Sequence, residues 1–167
     1  MKRNTFLKAG GIGLIGLSVP AVVKASSPDD TQPLDIAIVK DFVGAGHGRF
    51  ERVKELLAEF PNLKYARYDW GNGDFESALE AASHVGNREI AGFLVDSGAR
   101  INLGAITMLG ETALVKAILN RYPHLLYGLG AHGFTLLHHA KVGGPQSEEL
   151  FDYLSEAGLT EMQVKIK

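Results

Sequence analysis

A chain of 167 residues, 46% apolar and 22% charged, is long enough for one domain with a buried core. The absence of cysteine excludes a disulfide scaffold, a thiol nucleophile, a thiolate zinc site and a lipidated cysteine. A net charge of −2 argues against the concentrated basic face that nucleic acid requires.

Residues 1–25 read as an export signal. Lys2, Arg3 and Lys8 form a basic start, and Ala9 to Val23 is a glycine-rich apolar run too short for a comfortable membrane span. Val23-Lys24-Ala25 offers a small-residue cleavage site. Arg3-Asn4-Thr5-Phe6-Leu7-Lys8 is similar to a twin-arginine signal, with Asn4 in place of the second arginine, so twin-arginine and general secretory export both stay open. The expected location is periplasmic or secreted, with no membrane insertion once the signal is removed. The leader holds four of the 17 Lys and Arg and none of the 19 Asp and Glu, leaving the remainder near −6. Residues 26–33, polar and carrying Pro28 and Pro33, are expected to form a disordered linker.

From residue 34 the chain repeats one theme. Gly48 is followed by Arg49-Phe50-Glu51-Arg52-Val53-Lys54-Glu55-Leu56-Leu57, an amphipathic helix. A long insertion follows, from Tyr65 to Glu76, in which Gly71-Asn72-Gly73 permits a tight reversal between two extended arms. Leu79 to Ala99 then reads as a complete helix–turn–helix hairpin. Ala82 and Ser83 are small enough for close helix approach, Gly86 makes the turn, Ile90, Phe93 and Leu94 form one apolar stripe, and Gly98 ends the second helix. Gly110 is followed by the same rhythm through Leu119, and Asn102 leaves almost no room for a finger before that hairpin. Gly133 to Gly144 supplies a fourth first helix and turn, partnered by Glu148 to Ala157 and closed by Gly158, with 160–167 as a short tail. The turn glycines 48, 86, 110 and 144 stand 38, 24 and 34 residues apart.

These segments resemble the ankyrin-repeat family, whose period is about 33 residues. Thr135-Leu136-Leu137-His138 stands where that family has Thr-Pro-Leu-His, with Leu136 for proline. Ser97-Gly98-Ala99-Arg100-Ile101-Asn102 is similar to its Gly-Ala-Asp-Val-Asn ending, with Arg100 for Asp. The resemblance implies an all-α solenoid of about four stacked helix–turn–helix hairpins with β-hairpin-like fingers over residues 34–159. It further implies a structural hydrogen-bonding role for His138.

The long finger is the sharpest surface candidate, because Tyr65, Tyr68, Trp70 and Phe75 are interleaved with Arg67, Asp69, Asp74 and Glu76. Aromatics with a polar handle serve interfaces as anchors. Tyr65 and Phe75 are the rings expected to pack back on the body. The expected partner-binding set is Tyr68, Asp69, Trp70, Asp74, Glu76, Glu80, His84 and Arg100. Six histidines show no His-x-x-x-His on one helical face and no dense cluster with acidic residues, so no metal site and no cofactor are expected. His47 and His84 flank turn glycines, where surface residues sit. No catalytic residue is assigned, since nothing in the pairs Asp69/Asp74 and Glu76/Glu80 shows one carboxylate buried and one solvated.

The expectation is therefore a non-catalytic, monomeric protein–protein interaction module, exported to the cell envelope and recognising another protein through its fingers and concave first-helix face. The alternative is a small-ligand or metal-responsive binding protein that uses the finger aromatics and histidines.

Overall fold

A computed structural model describes residues 32–166, of which those from Leu34 onward belong to one compact unit. The expected export signal and nearly all of the expected linker lie outside the described residues. The described chain is all-α in character, with eight α-helices and one two-stranded antiparallel ribbon. None of its helices is long and apolar enough to cross a membrane.

The helices come in pairs. They are α1 (Ile36–Ala45) with α2 (Phe50–Glu59), α3 (Ala78–His84) with α4 (Arg88–Asp96), α5 (Leu103–Met108) with α6 (Thr112–Arg121), and α7 (Leu136–Val142) with α8 (Glu148–Glu156). Local chemistry starts most of them. Ser77 and Glu80 form a reciprocal capping box at α3, and the side chains of Asp35, Asn87, Asn102 and Thr135 accept backbone N–H groups at α1, α4, α5 and α7. Asn102 caps α5 directly, so no finger precedes that hairpin. Gly86 turns α3 into α4 at φ 73°, where a Cβ would meet the Val142 carbonyl oxygen at 2.5 Å.

The first helix of each pair packs on the next, α1 against α3, α3 against α5 and α5 against α7. Phe42, Val53, Leu56, Leu79, Ile90 and Leu94 fill one core; Val115, Leu137, Leu150 and Leu154 fill a second. Ala82 and Ser83 are fully buried, as close helix approach requires. Arg88 crosses between pairs, donating to the carbonyls of Met108 at 2.6 Å and Leu109 at 2.8 Å, which end α5. His138 Nε2 lies 2.8 Å from the His84 carbonyl, the linking role expected of it.

The tail is not loose. Thr135 N donates to Met162 O at 3.1 Å and Val164 N to Gly133 O at 2.9 Å, so residues 162–164 pair beside the segment leading into α7. The ordered body extends past residue 159 because those extended backbone groups find partners there.

Candidate functional site

The insertion between α2 and α3 forms a finger of two short strands, β1 (Tyr68–Asp69) and β2 (Phe75–Glu76), with Tyr68 opposite Glu76 and Asp69 opposite Phe75. Gly71, Asn72 and Gly73 all take positive φ, and Asp69 Oδ1 accepts the N–H groups of Gly71 and Gly73 at 2.8 and 3.1 Å. The tip is thus closed by its own Asx turn.

Strand alternation sends the finger's side chains two ways. Asp69 and Phe75 face solvent, and Phe75 is half exposed. Tyr68 packs on the core, with its ring 4.8 Å from Trp70 and the Lys40 ammonium over both rings. The expectation that Tyr65 and Phe75 pack back is therefore corrected: both are exposed, and period-two alternation assigns the inward place to Tyr68 instead.

Glu76 points inward and is fully buried. Trp70 Nε1 donates to its Oε2 at 2.7 Å, leaving Oε1 without a hydrogen-bond partner. Around Oε1 stand three imidazoles from three other parts of the chain. His84 Nδ1, at the end of α3, is 3.3 Å away; His132 Nε2, before α7, is 3.4 Å; His47 Nε2, in the α1–α2 turn, is 3.6 Å. His84 Nδ1 is also buried without a partner. All four donor atoms lie within 4.8 Å of one another.

Outer bonds orient these rings. His47 Nδ1 faces the Gly44 carbonyl at 3.2 Å. His132 has a left-handed backbone, φ 58°, and Asp74 holds it there, accepting its N–H at 2.8 Å and facing its Nδ1 at 2.6 Å. The two acidic groups diverge. Burial pushes Glu76 above the usual carboxylate range. Burial also works against the Asp74 charge, but its bonds to His132 outweigh that and hold it below the range. Burial, aided by the His47 and His132 rings, lowers His84 to about 3, so it is a neutral base at pH 7.

Of the eight residues expected at a partner surface, Asp69, Trp70 and Arg100 are exposed, Tyr68 and Asp74 are part-buried, and Glu80 closes the α3 capping box and pairs with Arg67 at 2.6 Å. Glu76 and His84 are a correction. Both are buried and cannot contact a partner, because β2 alternation and the packing of α3 turn them inward. His84 likewise departs from the expectation of a surface residue beside a turn glycine. The expectation of no dense histidine–carboxylate cluster is also corrected, since His47, Glu76, His84 and His132 converge through packing rather than spacing. His47 and His132 belong to no expected site. The signal was present in part: His47, just after α1, and His84, the last residue of α3, stand one hairpin apart and become neighbours once α1 packs on α3. Three imidazoles and a carboxylate form a donor set suited to a divalent transition-metal ion.

Neither a family model nor a curated protein matches the chain.

Proposed function

We propose that this protein is an exported ankyrin-type interaction module that recognises another protein, as a monomer, through its first finger and the adjoining helix ends. The paired helices, the packing of first helix on first helix and the finger before α3 support a solenoid of this type. The basic, then apolar, start of the sequence supports export to the periplasm or beyond. No catalytic step is needed for this role.

The observation that carries the reading is a fastened finger with free aromatic surface. Trp70 is 39% and Tyr65 42% exposed, yet Trp70 is held by Glu76 and Tyr65 lies under two cations, Lys64 and Arg100, each about 5.2 Å from its centroid. Rings held in place before binding lose little entropy when a partner covers them. Neither Lys64 nor Arg100 makes an ion pair among the described residues, so an acidic partner surface suits this edge.

The test is capture from the host's envelope fraction on immobilised protein, wild type against Trp70→Ala/Arg100→Ala. A protein retained by the wild type and lost by the variant supports the reading. Retention by both removes the finger from the interface, and no capture from any envelope fraction removes the module.

A further inference from the structure

The geometry points to a mononuclear site for a divalent first-row transition ion, Zn2+ foremost, bound by His47 Nε2, Glu76 Oε1, His84 Nδ1 and His132 Nε2. It stands on these four side chains whether or not the finger binds a partner.

Three separations decide between an ion and a plain hydrogen-bond network. Glu76 Oε1 lies 3.3, 3.4 and 3.6 Å from the three ring nitrogens. A charge-assisted hydrogen bond would draw such a pair to about 2.7–2.9 Å. A tetrahedral ion bonded at about 2.0–2.1 Å instead sets its ligands about 3.3 Å apart. The observed distances match the coordination edge. The remaining edges, between ring nitrogens, lie within 4.8 Å, and the partly exposed His47 and His132 would shift inward to close them.

Proton positions agree. A carbonyl only accepts, so His47 Nδ1, beside Gly44 O, carries its hydrogen and Nε2 presents a lone pair. Asp74 does the same for His132, whose Nδ1 donates to it and whose Nε2 faces inward. Trp70 occupies the other oxygen of Glu76. Lone pairs of two rings and a fully buried carboxylate oxygen thus converge, joined by the partnerless nitrogen of His84. One added proton can serve one of these contacts, whereas one cation serves all four. Asp74, Gly44 and Trp70 are then the outer partners that orient metal ligands. Imidazole donors favour zinc, cobalt or nickel over magnesium or calcium.

The ion would join four segments that are distant in sequence: the α1–α2 turn, the finger's second strand, the end of α3 and the loop before α7. The finger's position would then depend on metal.

The test uses the purified full chain, stripped with chelator and titrated with ZnCl2 by calorimetry and with CoCl2 by visible absorption. Expected are one ion per chain and the intense ligand-field bands of four-coordinate Co2+. His47→Ala/His132→Ala, with helicity checked by circular dichroism, should weaken Zn2+ binding at least tenfold. Asp74→Asn keeps all four ligands and should weaken it about 10–100-fold, which also covers the case in which the double variant does not fold. His124→Ala, outside the cluster, should bind as the wild type does. The proposal is overturned if neither ion binds stoichiometrically, if both the double variant and Asp74→Asn bind undiminished, or if Mg2+ or Ca2+ competes as well as Zn2+.

Discussion

The paired helices and the base of the finger are buried to a similar depth by opposite means. Between the helices, Phe42, Ile90 and Leu94 meet apolar neighbours, and every removed methyl lowers stability. Under the finger, Glu76 and His84 are equally withdrawn from water but meet mainly polar groups, two of whose atoms lack a partner. The contrast separates what holds the molecule together from what it keeps in readiness. An apolar core gains from burial itself, whereas a buried polar set is costly until something completes it.

Three changes test that contrast. Phe42→Ala, at a fully buried ring in the first core, should cost about 3–5 kcal/mol in urea unfolding, with no dependence on metal. A loss under 1 kcal/mol would mean that the core is far looser than its packing.

The second concerns His139, a polar group lodged within a framework helix, with Nδ1 unpartnered and the ring almost fully buried. Burial, with a smaller contribution from His138, lowers it from 6.5 to about 4. The unfolded chain therefore takes up the proton first as pH falls. Stability present above about pH 6.5 should be lost progressively down to about pH 4, by up to about 3 kcal/mol. Comparing urea midpoints at pH 7 and 5 for the wild type and His139→Phe checks this; equal slopes would assign the loss to another group.

The third should move in the opposite direction from Phe42→Ala. Glu76→Gln keeps the shape, retains an acceptor for Trp70 and supplies N–H donors toward the ring nitrogens. Without metal it should raise stability by about 1–3 kcal/mol, the cost of a buried polar atom left unsatisfied. The rise in melting temperature that Zn2+ gives the wild type should shrink, since three imidazoles remain but the anionic ligand is gone. If Glu76→Gln destabilises the metal-free protein, the carboxylate is a structural strut and the contrast between the two regions fails.

The framework was legible because its instructions are local. Gly98 was expected to end a helix and does so after α4 at φ 85°, and Ser77 with Glu80 three residues on carries the local chemistry of the α3 capping box. Gly71-Asn72-Gly73 announced a reversal and makes one. Side-chain direction on the finger was less legible. With strands of only two residues, alternation has almost no length over which to appear, so Phe75 was expected inward and Tyr68 at the surface. The tail's pairing with the segment before α7 likewise left no local mark.

Sequence alone determined the helix pairs, their caps and turns, and a finger between the second and third helices, because spacing, propensity and glycine conformation act over a few residues. Only the tertiary structure decided that residues 47, 76, 84 and 132 share one small polar chamber. No periodicity links those positions. They meet because α1 and α7 both pack on α3 while the finger returns beside α1, and the four positions span up to 85 residues of chain.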